Sequence, residues 1–155
     1  MNIQLGVGDI SVQRYIKIQK KAVPRCMRNF MIEFYRQCTI ATPVDTGRAR
    51  WGWNCSIKAP VMDIPAEAPD GWVGKSHKGG KAFYKLDSKR ARETFTVSAV
   101  TGEETLYVTN AVPYIGKLNE GWSRQAPARF VELAFDYAFN KLEKFISVRG
   151  YALDS

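Results

Sequence analysis

The chain predicts an α+β fold in which a small, mostly antiparallel sheet is packed by a long N-terminal helix and a C-terminal helix. Three observations lead there. Apolar residues recur at helical steps from Asp9 to about Thr42, two short segments around Trp53 and Val108 have strand character, and helical spacing returns after Pro127. Runs of helix, then strands, then helix distinguish this class from the strict strand–helix alternation of parallel α/β proteins.

The first helix carries the stripe Val12, Tyr15/Ile16, Gln19, Ala22/Val23, Cys26/Met27, Phe30/Met31, Phe34 and Cys38. Asp9 or Ser11 is suited to cap its first turn. Lys17, Lys20, Lys21, Arg25, Arg28 and Arg36 mostly take the other face. Pro24 lacks an amide donor and crowds the preceding turn, so a kink or break is expected there. Thr42 precedes Pro43 and is pushed towards extended geometry, which ends the helix. Gly47 permits a positive-φ turn.

Arg48 to Ala59 reads as a strand, with Trp51, Trp53, Cys55 and Ile57 alternating against Gly52, Asn54, Ser56 and Lys58. Periodicity then vanishes from Pro60 to Lys81, a stretch rich in proline and glycine that is expected to be a mobile insertion. Lys85 to Val100 supports two readings. Ser88 can cap a helix with Ala91, Phe95 and Ala99 inward, whereas Thr94-Phe95-Thr96-Val97 favours strand by composition; the helix is preferred. Thr101 to Glu104 forms a turn, and Thr105 to Asn110 a strand with Leu106 and Val108 inward. Pro113 fits the first position of a short helix lined by Tyr114, Ile115 and Leu118 and stopped by Gly121. Pro127 starts the last helix, whose stripe is Phe130/Val131, Ala134/Phe135, Ala138, Leu142 and Phe145/Ile146. The tail, 150–155, is expected to fray.

With 155 residues, one domain spanning 1–155 can bury roughly 70% of its unfolded surface without covalent staples. No apolar run approaches the roughly 18 residues of a membrane span. Met1 to Gly6 lacks the charged start and apolar core of a secretory signal, so a cytoplasmically made chain with no membrane partner is expected. Cys26, Cys38 and Cys55 are too far apart for a zinc or redox motif and read as reduced, buried thiols.

The net charge of +8 is uneven: residues 1–60 hold 10 Lys/Arg against 3 Asp/Glu, a balance of +7. Such a region can attract nucleic acid or an acidic protein, although a solvated helix face accounts for it as well. No constellation for chemistry assembles. His77, the single histidine, lacks companions for a triad or a metal site. Lys78-Gly79-Gly80-Lys81 lacks the spacing of a phosphate loop. Glu103/Glu104 and Glu132/Asp136 read as a polar turn and a solvated helix face. No catalytic, cofactor or metal residue is therefore expected.

Thr42-Pro43-Val44-Asp45-Thr46-Gly47-Arg48, closing the first helix, resembles the Pro-Val-Asp-Thr-Gly motif of the neck/tail-completion protein family of tailed bacteriophages. About 60 residues later, Leu106-Tyr107-Val108-Thr109-Asn110-Ala111-Val112-Pro113-Tyr114 is similar to the family's second motif, an aliphatic strand running into Asn-x-x-Pro-Tyr. Leu118-Asn119-Glu120-Gly121-Trp122-Ser123-Arg124-Gln125-Ala126-Pro127-Ala128 is similar to its leucine–glutamate–glycine turn and proline-led final helix. The resemblance spans 10–148 in order, apart from most of 60–81. Ala111, where relatives often carry a second asparagine, and Asn119, ahead of Glu120, depart from the pattern.

The resemblance implies a structural virion protein at the head–tail junction, assembled in the host cytoplasm, without enzymatic activity. It would form a homo-oligomeric ring joining the head connector to the tail. Its expected partners are copies of itself, head-connector and tail-tube or terminator proteins, and genome DNA passing through the channel. A tail terminator capping the tube, or a basic nucleic-acid-binding module, are the alternatives. Pro43, Asp45, Thr46, Gly47, Arg48, Asn110, Pro113, Tyr114, Leu118, Gly121 and Trp122 are the expected turn and interface residues. Asp45 is suited to accept turn amides or pair with Arg48, Asn110 to cap the Pro113 helix, and Tyr114 with Leu118 to anchor that helix to the sheet. Trp72, Lys75, His77, Lys78 and Lys81 belong to the expected interface loop.

Overall fold

The computed structural model describes the backbone of residues 9–43, 47–66 and 89–149, with side chains from residue 20 to residue 146. Its elements are α1 (Asp9–Ala41), α2 (Arg48–Trp51), β1 (Trp53–Ile57), α3 (89–94), β2 (Leu106–Asn110), α4 (Ile115–Asn119) and α5 (Phe130–Arg149). The fold is α+β. The two strands pair antiparallel with Trp53 opposite Asn110 and Ile57 opposite Leu106. α1, at 33 residues roughly 50 Å long, is the backbone of the molecule: α5 packs along it, and both strands rest against it.

The core gathers one or two side chains from almost every element: Tyr35 and Cys38 of α1, Trp53 of β1, Ala91 of α3, Phe95 and Val100 after it, and Phe130 and Ala134 of α5. Leu106 and Val108 of β2 and Cys55 and Ile57 of β1 pack against it, as strand alternation requires. The α1 stripe holds for Ala22, Met27, Met31, Phe34 and Cys38, but Val23 is exposed. Tyr35, Thr39 and Thr42, outside that stripe, are buried. Their hydroxyls donate to backbone carbonyls of Trp53 (3.2 Å), Tyr35 (2.9 Å) and Cys38 (2.6 Å) respectively. A satisfied hydroxyl makes burial inexpensive, so polarity misleads at these positions.

Several expectations are corrected. α1 runs unbroken through Pro24; the carbonyl one turn earlier belongs to Lys20, an exposed residue, where water can replace the missing amide. Neither Asp9 nor Ser11 precedes the helix as a cap, since α1 already includes both. The strand begins at Trp53 and not at Arg48, because Gly47 (φ 94°) starts the one-turn α2 that absorbs Trp51. The helix in 85–100 is confined to 89–94 among the described residues, and its expected cap Ser88 lies outside them. The turn residues 97–99 follow, with Arg28 Nε donating to the Phe95 carbonyl (2.6 Å). Residues 60–66 lack regular structure, yet Asn54 donates to the Asp63 carbonyl (2.8 Å) and Thr109 to that of Val61. Asn54 and Thr109 are cross-strand partners, so the outgoing chain is pinned across the sheet. The rest of the expected insertion, from residue 67, lies outside the described residues, as does the expected frayed tail.

The α4–α5 joint is fixed by two devices. Gly121 (φ 95°) ends α4: its amide donates to Leu118 (3.2 Å) and that of Trp122 to Lys117 (3.2 Å), the Schellman pattern. α5 then begins at Phe130, three residues after Pro127. Its cap comes from elsewhere: Asn119 Oδ1 accepts the Val131 amide (2.9 Å), while Asn119 Nδ2 donates to Glu132 (2.8 Å). This satisfies an orphan helical amide from a different helix.

Gly121→Ala is expected to cost about 1–3 kcal/mol, because a Cβ there meets Ala128 Cβ at 2.9 Å in a left-handed backbone; urea unfolding measures it. Burial raises the Cys38 thiol far above its ordinary 9.0. The folded chain therefore keeps a proton that the unfolded chain releases, and this contribution, intact below pH 9, falls by up to about 1.4 kcal/mol per unit above it. Stability curves between pH 8 and 11 should be steeper for the wild type than for Cys38→Ala.

Candidate docking groove at the convergent turns

Three segments meet, the first distant in sequence and the other two consecutive. In the first, α2 is a single turn closed by Arg50 and Trp51 amides on the Gly47 carbonyl (2.9 and 3.1 Å) and by the Gly52 amide on Arg48 (2.9 Å). This turn aims the Arg50 side chain back at α1. Its guanidinium donates to the carbonyls of Ile40 (3.0 Å) and Thr42 (2.9 Å). A cation on the last carbonyls satisfies groups the helix cannot and complements its dipole. α1 has no basic residue in its own last turn, so Arg50 supplies the missing one.

The second segment is the end of β2. Asn110 Nδ2 donates to the Ala49 carbonyl (2.7 Å) and Oδ1 accepts the Val112 amide (3.1 Å). The two segments touch so closely that a Cβ on Gly52 would lie 2.8 Å from Val112 Cγ2 and 3.1 Å from Asn110 Oδ1. Glycine is required there for close approach, not for turn conformation. Asn110 thus fastens β2 to α2 and does not cap the following helix. The N-cap position of α4 is Tyr114, which makes no side-chain cap bond, and Pro113 lies outside the helix.

The third segment, α4 and its exit, completes an open groove of about 510 Å³ lined by Pro43, Gly47, Arg48, Ala49, Tyr114, Leu118, Ser123 and Gln125. Leu118 and Ile115 turn inward onto the core. Tyr114 is 40% exposed, so it walls the groove and does not anchor α4. Trp122 stands 72% exposed, with the Lys117 ammonium 4.9 Å from its ring centre.

Of the expected site residues, the structure brings together Pro43, Gly47, Arg48, Tyr114 and Leu118 in the groove wall, with Asn110 beneath it. Gly121 and Trp122 lie at the α4 exit. Asp45, Thr46, Trp72, Lys75, His77, Lys78 and Lys81 lie outside the described residues. Sequence reading missed Ala49, Arg50, Val112 and Gln125. Arg50, two residues past Arg48, left no local signal, because its target is the end of another element.

The groups whose acidity is displaced lie elsewhere. In the Thr101–Glu104 turn, Thr101 hydroxyl (2.6 Å) and the amides of Thr101 and Gly102 (2.8 and 3.2 Å) hold the Glu104 carboxyl at about 2. Glu33 feels burial, which raises it, but bonds from Gln37, Lys141 and Arg36 bring it below the ordinary carboxylate range. The groove itself offers a guanidinium, a phenol, a hydroxyl and an amide over apolar walls. Among the described residues no three His, Cys, Asp or Glu side chains cluster to hold a metal ion. No helix among them is long and apolar enough to cross a membrane.

No family model, curated protein or solved structure matches this chain.

Asn110→Ala should lose both side-chain bonds, the one to α2 and the local one to Val112, and leave the Ala49 carbonyl unpaired. A destabilisation of about 1–3 kcal/mol is expected, and amide exchange should rise at Val112 and in α2 ahead of global unfolding.

Proposed function

We propose that this chain is a non-enzymatic structural subunit of a tailed bacteriophage, a neck or tail-completion protein that forms a ring joining the head connector to the tail. The carrying observation is convergence. The first resembling segment is far in sequence from the other two, which follow one another, yet Pro43, Gly47 and Arg48 share one surface groove with Tyr114, Leu118, Ser123 and Gln125, and Asn110 bonds to the Ala49 carbonyl beside it. That two motifs so separated share one joint supports the reading.

Surface character supports the same reading. Leu133, Phe135, Tyr137, Phe139 and Ile146 of α5 and Trp122 are all more than a third exposed. Apolar side chains so concentrated on one element mark a surface used in association. Identical subunits joined by a repeating head-to-tail contact close into a ring when the rotation per subunit permits. A chain segment from the head connector or the tail would occupy the groove, and genome DNA would pass through the channel. A tail terminator uses the same assembly logic and differs only in which neighbour it meets.

Deleting the gene from its phage tests the reading. Micrographs of the lysate should contain filled heads and separate tails, and plaque titre should collapse and return on complementation. Normal joined particles from the deletion strain would refute it.

A further inference from the structure

The chain carries two complementary surfaces that face different ways. One is a ridge on α5: Phe135, Phe139 and Ile146 are 46%, 46% and 37% exposed. At 100° per residue they share one strip of the helix, and the exposed acids Glu132, Asp136 and Glu143 fall in the adjoining strip, roughly 60° further round. The ridge is rooted, since Phe135 meets Phe30 and Phe34 edge-on (centroids 5.1 and 5.7 Å) and stacks on Phe139 (6.5 Å). The other surface is a groove of about 640 Å³ between α1 and the 97–101 turn, with Pro24, Val97 and Val100 as apolar lining and Lys20, Lys21 and Arg25 on its rim. Val97 is 78% exposed, and Lys20 and Lys21 are exposed as well.

We infer that the acid-edged aromatic ridge of one copy docks in the lysine-rimmed apolar groove of the next copy. Apolar meets apolar, and the carboxylates of Asp136 and Glu143 meet the ammonium groups of α1, the arrangement that fixes register and orientation. Along α1, the phenylalanines beneath the ridge lie roughly 130° round the helix from the groove-lining residues. The two surfaces are built from different residues, so copies can join head to tail, which a heterologous contact requires. The exposed Val97 favours this occupant over a nucleic-acid strand, whose phosphates would use the lysines and leave that side chain unmatched. The inference rests on the ring-subunit reading and names the surfaces that build the ring.

Two variants test it. K20E/K21E disables the groove, and D136K/F139D disables the ridge. All four side chains are exposed, and D136K/E143K serves as a second ridge variant that leaves aromatic packing intact; circular dichroism checks the fold. By native mass spectrometry and light scattering, the wild type should form multimers. Each variant alone should fall to the 17.5 kDa monomer. Mixed, K20E/K21E and D136K/F139D should give a 1:1 heterodimer that grows no further, because each supplies one working surface. Variants that assemble like the wild type, or a mixture that stays monomeric, would overturn this interface while leaving a ring through other surfaces. A wild type that remains monomeric at every concentration would overturn both. Duplex DNA binding that weakens steeply with salt and is lost in K20E/K21E, with self-association unchanged, would assign the groove to phosphates instead.

Discussion

The joint between the end of α1 and the start of β1 holds the rest of the molecule in place. Trp53 is its centre. The buried indole amide donates to Thr42 Oγ1 (2.8 Å), Thr42 passes its own proton to the Cys38 carbonyl (2.6 Å), and the Tyr35 hydroxyl donates to the Trp53 carbonyl (3.2 Å). An unpaired polar group at this depth would cost about 1–3 kcal/mol, so each member is held by the others. This network sets where β1 leaves α1. β2 follows by pairing with β1, Asn110 then places α4 against α2, and Asn119 carries that placement to the first turn of α5.

A second tie closes the circuit. Lys141 of α5 reaches Glu33 of α1 (2.9 Å), which also receives Arg36 (2.7 Å) and Gln37 (2.8 Å). Glu33 is 13% exposed at its side chain while Lys141 is 53% exposed. The pair is therefore half-screened and contributes more to the register of α5 on α1 than to stability. Because the Glu33 carboxyl is held below its ordinary 4.5, that contribution is complete above this pH and is lost as acid protonates the folded form. The chain thus loops from α1 through the sheet and back onto α1, each stage fixed by one polar contact within an apolar setting.

The layout was legible in sequence wherever burial follows a period. Apart from Val23, the α1 stripe, the inward Leu106 and Val108, and the α5 positions Phe130, Ala134 and Ala138 lie where spacing places them, whereas Phe135 and Ile146 of the same α5 stripe are left exposed. Glycines requiring unusual backbone, Gly47 and Gly121, were legible too, since few other residues serve there. What failed was non-local. Arg48–Trp51 alternates like strand, but the left-handed Gly47 and the demand of α1 for a cation on its last carbonyls wind it into a turn that delivers Arg50. Asn119 looked like a departure from a pattern, and it is the cap of a helix that begins eleven residues later. A cap is recognised in sequence by standing next to its helix, and this one does not. Tyr35 and Thr42 escaped because their partners, Trp53 carbonyl and indole, exist only once β1 is in place. Of the groove, both motif turns were anticipated, but not that Ala49 and Gln125 would line it with them.

The fate of the motif residues bears on how the proposed ring works. Asn110, Gly121, Leu118 and Gly47 spend their bonding and shape inside the subunit, on carbonyls, a methyl group and the core. Asn110 and Gly121, committed in this way, have nothing left with which to discriminate partners, while Gly47 and Leu118 also form part of the groove wall. They define a scaffold on which Tyr114, Trp122 and the α5 aromatics are displayed, and only the displayed groups retain unburied area to trade on association. Replacing a motif residue should therefore weaken assembly by loosening the subunit, in proportion to lost stability. Replacing a displayed aromatic that lies outside the Phe135 cluster, such as Trp122, should weaken assembly while the isolated subunit melts as before. That separation between folding residues and contact residues is what a subunit built to fit its neighbours requires, since it lets the contact surface vary without risk to the fold.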